Sequence, residues 1–139
     1  MIRLTRAYHF CASHRLHVPE FSAEKNRQLF GKCNNPHGHG HNYRVEIGVG
    51  GELDAATGRV VDLEALDRIV NERVVKYLDH RYVNEDIAEF KTRVATTEVL
   101  GEVIRERLLA VWPPDFPPLR DIRIQETKRN QFVIPSFEP

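Results

Sequence analysis

Between Cys33 and Tyr43 the chain reads Cys-Asn-Asn-Pro-His-Gly-His-Gly-His-Asn-Tyr, a turn-rich run that feeds directly into an alternating strand. Within residues 39–49, Tyr43, Val45, Ile47 and Val49 make an apolar face, while Asn42, Arg44 and Glu46 make a polar one. Side chains two apart on a strand point to the same side. His39 and His41 therefore continue the apolar face. Whatever fold forms must carry imidazoles at the rim of its core, where polar groups need partners.

The opening segment, residues 2–14, alternates in the same way. Ile2, Leu4, Tyr8, Phe10 and Ala12 share one parity, Arg6 is an exception to it, and His14 ends on it. Residues 15–38 are polar and rich in turn formers, which predicts a long loop. After the strand over 39–49, Gly50-Gly51 and the segment 54–58 read as turns, with a short strand expected at Arg59-Val60-Val61. Asp62 is placed as a helix N-cap, followed at helical spacing by Leu63, Leu66, Ile69, Val70, Val74, Tyr77 and Leu78. Thr96 or Thr97 caps a second helix bearing Leu100, Val103, Ile104, Leu108 and Val111, which Pro113-Pro114 ends. Residues 119–127 and 131–137 form two more strands around a turn at Lys128-Arg129-Asn130. The order strand, strand, helix, helix, strand, strand predicts an α+β layer: a four-stranded antiparallel sheet with both helices on one face. The exposed sheet edges of so small a domain call for cover, and oligomerisation is one solution.

With 139 residues the chain is expected to form a single domain, 1–139, and a domain of this size buries roughly two thirds of its unfolded surface. Lysine and arginine total 20, as do aspartate and glutamate, so there is no global electrostatic case for nucleic acid or a membrane as partner. A local cationic pocket for a small anion remains compatible with that balance, with Lys32, Arg15, Lys128 and Arg129 as candidates. The N-terminus has charges where a signal peptide needs an apolar run, and no stretch approaches the ~20 apolar residues of a membrane span. A cytoplasmic location is expected, and there the two cysteines stay reduced.

If the first two strands pair as neighbours, His14, His39 and His41 converge. Three neutral nitrogens with a vacant fourth position describe a catalytic zinc site, able to bind and polarise water or substrate oxygens. His37 shares their parity, but Pro36 and Gly38 keep it in the turn as a decoy or substitute ligand. Cys33 lies close enough in sequence to fold its thiol over the metal. Its ordinary pKa, about 8.5, leaves little thiolate at neutral pH unless a nearby cation lowers it. Cys11 reads as a small buried side chain without chemistry. Asp79-His80 follows the first helix as a carboxylate–imidazole pair suited to moving a proton. Glu126 has the parity of Ile122 and Ile124, so its carboxylate faces the core side and needs an ion pair or a ligand rich in N–H donors.

Taken in order, Phe10-Cys11-Ala12-Ser13-His14-Arg15-Leu16, Phe30-Gly31-Lys32-Cys33-Asn34-Asn35-Pro36, His39-Gly40-His41-Asn42-Tyr43, Leu78-Asp79-His80, Thr96-Thr97-Glu98 and Glu126-Thr127 cover nearly the whole chain. This set resembles the 6-pyruvoyl-tetrahydropterin synthase and 6-carboxy-tetrahydropterin synthase family. The resemblance implies Zn2+ held by His14, His39 and His41, Cys33 as general base, Asp79-His80 as relay, and Glu126 as anchor for the guanidine-like edge of a pterin, with Thr97 and Glu98 in that pocket. It implies the tunnelling fold (T-fold), in which trimers close their sheets into a barrel, two trimers stack as a homohexamer, and active sites lie between subunits. The implied substrate is 7,8-dihydroneopterin triphosphate. The product is either 6-pyruvoyl-tetrahydropterin, as in tetrahydrobiopterin biosynthesis, or the 6-carboxy compound of queuosine and related deazapurine biosynthesis. The five residues between Cys33 and His39 resemble the pyruvoyl type. A zinc hydrolase or deaminase using Glu126 is the competing class, but the His-x-Glu with Pro-Cys-x-x-Cys and His-Glu-x-x-His signatures are absent. A non-catalytic pterin-binding zinc protein is the other alternative, and under it Cys33 and Asp79-His80 have no task.

Overall fold

The structure, a computed structural model, describes residues 1–136. Strand β1, Ile2–His14, pairs antiparallel with β2, His39–Gly51, in unbroken register from Ile2↔Gly51 to His14↔His39. β2 pairs antiparallel with β4, Leu119–Thr127, and β4 with β5, Asn130–Pro135. The expected four strands form, but a fifth joins them. β3, Arg81–Tyr82, lies parallel to β1 at Ala12 and Ser13, so the sheet is mixed, in the order β3-β1-β2-β4-β5. Two residues are too few to display an alternation, which is why β3 left no trace in the pattern. The last expected strand, 131–137, runs from Asn130 to Pro135, and its final expected residue lies outside the described ones.

Three further expectations are corrected. Residues 15–38 are not all loop: Ala23–Phe30 form helix α1, with Ser22 accepting the Lys25 N–H as N-cap, followed by a 3-10 turn at Gly31–Asn34. Only Asn26 of α1 is buried, so the sequence offers no apolar stripe to announce a helix. Arg59-Val60-Val61 do not form a strand. Val61 drops into the core and Asp62 at once caps the next helix, accepting the N–H groups of Glu64 and Ala65. Cys11 is exposed on the open face of the sheet, its thiol 2.8 Å from Asn42 Oδ1.

Helix α2 opens as Leu63–Val70, passes through a π-helical turn at Asn71–Val75 and closes as Lys76–Leu78. Its fully buried residues, Leu66, Val70, Val74 and Leu78, are spaced by four. At 3.6 residues per turn, that spacing drifts by about 120° from first to last. The π turn absorbs one extra residue and cuts the drift to about 20°. Helix α3, Val83–Asp86, follows β3, and α4, Thr97–Leu109, starts from the N-cap Thr96, one of the two threonines the sequence pattern offers, while Val111, expected on it, lies beyond its end and is exposed. Buried side chains from α2 and α4 meet Tyr8, Phe10, Tyr43, Val45, Ile47, Ile122 and Ile124 in one core on one sheet face. Burying each such side chain is worth roughly 1.5–3 kcal/mol. The opposite face carries Arg3, Thr5, His9 and Cys11, all exposed.

Candidate active site

The paired strands end where the histidines begin. His14 is the last residue of β1 and faces His39, the first of β2, while His41 faces Ala12. All three rings turn to the helix side. Their centroids lie 4.7 to 5.1 Å apart with interplanar angles of 67° to 88°. Glu126 joins them from the end of β4. The β4–β5 register slips between Gln125 and Thr127, and such bulges re-aim side chains. One nitrogen from each histidine and one Glu126 oxygen lie within 4.8 Å of one another.

The segment entering α4 sets this cluster. Ala95 C=O accepts a hydrogen bond from His14 Nδ1 at 2.7 Å, which leaves His14 Nε2 a free lone pair. That nitrogen is 3.1 Å from His39 Nε2. Nitrogens about 2.0–2.1 Å from one tetrahedral ion are roughly 3.4 Å apart, so the spacing suits ligands of a shared cation. Thr97, fully buried as the first residue of α4, donates its hydroxyl to Glu126 Oε2 at 2.7 Å. His41 Nε2 comes 2.8 Å from Glu126 Oε1, but off the line of a hydrogen bond, and among the described residues this buried nitrogen has no hydrogen-bond partner. Buried polar atoms are rarely left so, and a cation at the centre would satisfy it.

The electrostatics fit the same purpose. Burial pushes the His39 and His41 imidazoles below their ordinary pKa, which keeps them neutral and able to ligate. His14, Thr97 and His41 hold the Glu126 carboxyl at about 2, against the cost of its burial. The Cys33 thiol is pushed up, first by burial and then by the Glu126 charge. Without a cation, then, Cys33 is a thiol.

Cys33 sits in the 3-10 turn, half-buried, and the turn is stitched to the chain after β1. Leu16 N–H donates to Cys33 C=O at 2.9 Å, Asn34 Nδ2 to Leu16 C=O at 2.7 Å, and Arg15 Nε to Asn34 C=O at 3.1 Å. Buried Asn34 and Asn26 organise this region, and the sequence reading missed both. Asn34 stands in the Phe30 to Pro36 segment of the resemblance without a role of its own, and the signal for Asn26 is no more than an asparagine inside a stretch that reads as loop. Tyr43, an apolar-face residue in the sequence pattern, is fully buried with its ring 5.6 Å from His41, and among the described residues its hydroxyl has no hydrogen-bond partner.

Three expected site residues, Glu98, Asp79 and His80, stand apart from this cluster. Glu98 is exposed and outside the cluster. Asp79-His80 dock beside Cys11 on β1, three residues, or about 10 Å, along the strand from His14. His80 Nδ1 is 3.0 Å from Asp79 Oδ2, and the ring lines a cavity of about 540 Å³ with Cys11, Ser13, Asn42 and Tyr82. His37 is exposed in the turn, away from the ligand group.

Fold and centre define an α+β enzyme scaffold with a three-imidazole, one-carboxylate group competent to hold a metal ion. A family model described as 6-pyruvoyl tetrahydropterin synthase matches residues 3–135. The 6-pyruvoyl tetrahydrobiopterin synthase of Poecilia reticulata is 42% identical over 130 residues, covering 94% of this chain and 87% of that protein. The Homo sapiens protein of that name is 41% identical over 131 residues, covering 94% and 89%. The structure of Caenorhabditis elegans 6-pyruvoyl tetrahydropterin synthase matches at TM-score 0.90 and 37% identity, covering 96% of this chain and 94% of that one. The chain belongs to the 6-pyruvoyl tetrahydropterin synthase family.

Proposed function

We propose that this chain is a zinc-dependent lyase that converts 7,8-dihydroneopterin triphosphate to 6-pyruvoyl-tetrahydropterin with elimination of triphosphate. The observation that carries the reading is the gathering of His14, His39, His41 and Glu126 ligand atoms within 4.8 Å, in a chain matched to the family from residue 3 to 135. Zinc would be held there by His14, His39 and His41, and it would supply a Lewis-acid charge to polarise side-chain hydroxyls of the substrate and lower the Cys33 pKa.

The chain's own residues do the rest. Cys33, once a thiolate, removes a proton from the substrate side chain. Glu126 Oε2 stays fixed by Thr97, and its Oε1 accepts N–H groups from the guanidine-like edge of the pterin once His41 turns to the metal. Asp79-His80 moves a proton during elimination and tautomerisation. Because this pair docks about 10 Å along β1 from its own His14, it serves a site best from a neighbouring protomer. A homohexamer with sites between subunits accommodates that, and it covers the free edges of β3 and β5. Among the described residues no helix is long and apolar enough to cross a membrane, and both cysteines are free, which supports a cytoplasmic location.

The test is product analysis by mass spectrometry, with zinc-loaded protein and 7,8-dihydroneopterin triphosphate. A 6-pyruvoyl product with triphosphate release is expected. A 6-carboxy product with acetaldehyde would move the protein to deazapurine biosynthesis. No turnover by zinc-loaded protein would refute the assignment. Cys33→Ala should bind zinc and pterin but lose turnover, and unchanged turnover would remove the general-base role.

A further inference from the structure

The π turn of α2 has a lock, and the lock comes from α4. Lys76 N–H bonds to Asn71 C=O five residues back. Nearby, the Arg73 C=O accepts from Arg107 Nε at 2.8 Å. The Arg107 guanidinium lies 3.4 Å from the Tyr77 ring centroid and 3.8 Å from Glu89, which in turn accepts the Tyr77 hydroxyl at 2.8 Å. The Arg107 side chain is 18% exposed, so these contacts are largely enclosed. π turns are rare and concentrate at functional sites.

What the turn delivers is Asp79-His80. Asp79 N–H closes onto Val75 C=O at 2.8 Å. Asp79 Oδ1 then accepts the Cys11 N–H at 2.8 Å, and His80 N–H donates to the Cys11 C=O at 2.6 Å. Both anchors grip one residue of β1. His80 has φ +59°, and among the described residues it alone, apart from glycines, has positive φ. Left-handed backbone is unfavourable for a residue with a side chain, so the pair is held against its local preference. If the π turn relaxed to α-helix, the residues after it would rotate by about 100° around the axis and Asp79 would leave Cys11.

We propose that Arg107 is a positioning residue for Asp79-His80, fixing through the π turn the phase at which α2 presents that pair. The catalytic part of the proposal rests on the lyase reading above. An Arg107 that only stabilised the fold would, when replaced, lower the melting temperature and leave turnover per folded molecule intact.

The experiment is a double-mutant cycle in the assembled protein with Arg107→Met and His80→Ala. It reads kcat, KM and metal content, together with hydrogen exchange over residues 76–82. A misplaced acid–base group forfeits much of the roughly 10²–10⁴-fold it contributes. R107M should therefore lower kcat by about tenfold or more, with KM and metal content nearly unchanged and faster exchange in that segment. On the H80A background R107M should cost nothing further. Arg107→Lys, whose ammonium can still reach the Arg73 carbonyl, should restore part of kcat, and it carries the cycle if R107M does not fold. Losses that multiply in the double mutant, or unchanged kcat, would overturn the proposal. If wild type fails to turn over the pterin triphosphate, the lyase reading falls separately. Exchange over 76–82 then decides: acceleration there, without acceleration in β2, sustains the positioning role, and its absence refutes it.

Discussion

Midway along β1, Arg6 and Tyr8 turn to the helix side and meet Asp67 of α2. Arg6 Nε and Nη2 donate to the two Asp67 oxygens at 2.6 and 2.8 Å, and the Tyr8 hydroxyl donates to Oδ1 at 2.7 Å. At the end of the same strand and on the same face, His14 meets His39, His41 and Glu126. The first cluster is saturated, its cation and hydroxyl each matched to the carboxylate. The second holds like groups together and, among the described residues, leaves His41 Nε2 without a hydrogen bond. A cluster that satisfies itself has nothing left to offer a ligand, whereas one that crowds acceptors needs a cation. The difference separates a clamp between sheet and helix from a functional centre.

The sharpest way to break this contrast is to remove one member from each. His41→Ala should lose zinc affinity by more than the 10–100-fold typical of an outer-shell partner and abolish turnover, while the metal-free protein melts within a few degrees of wild type. Asp67→Asn should do the reverse, keeping zinc affinity and lowering the melting temperature. Zinc titration against a chromophoric chelator, paired with calorimetry, reads both. Equal loss of zinc in the two variants would erase the distinction.

Gly38 offers a smaller effect confined to the centre. Its φ is +73°, and a Cβ there would come 2.9 Å from Tyr82 Cε2 and 3.0 Å from the His14 carbonyl oxygen. Gly38→Ala should cost about 1–2 kcal/mol from the backbone alone, and it should weaken zinc binding because His39 follows directly. The contacts between Arg6, Tyr8 and Asp67 should be indifferent to it. A thermal shift without any change in zinc affinity would mean the turn does not set the His39 position.

Much of both clusters was legible because strands write their faces into alternation. His14, His39, His41 and Glu126 declared themselves by sharing the parity of apolar neighbours, and Arg6 stood out as the exception that Asp67 explains. What stayed hidden has no side-chain signature of that kind. The Ala95 carbonyl that fixes His14 is backbone and has no residue identity to read. α1 buries only an asparagine, and β3 has two residues. The π turn was written in the four-residue spacing of Leu66, Val70, Val74 and Leu78, but that spacing also passes for an ordinary amphipathic helix. The displacement of Asp79-His80 from the ligand group depends on where α2 meets β1, a tertiary distance that no local pattern carries.

Acid sharpens the comparison most finely. In the metal-free protein the Glu126 carboxyl titrates at about 2, against an ordinary 4.5. The unfolded chain therefore binds the extra proton first. The stabilisation from this group is complete above pH about 4.5 and disappears as pH falls toward 2. Asp67 is also depressed, chiefly by its hydrogen bond to Arg6 and also by Tyr8, so its contribution is lost in the same direction. Glu126→Gln and Asp67→Asn should each flatten the fall of stability with acid seen in wild type by chemical denaturation at a series of pH values. Salt should separate them. The side chains of Arg6 and Asp67 are 39% and 31% exposed, and that of Glu126 only 17%. At ~1 M salt the Debye length is about 3 Å. The difference between wild type and Asp67→Asn should shrink there, while the Glu126→Gln difference persists, because enclosed charges are screened less. If salt removed both differences alike, Glu126 would be as open to solvent as the clamp, and the enclosure assigned to the metal-binding centre would be wrong.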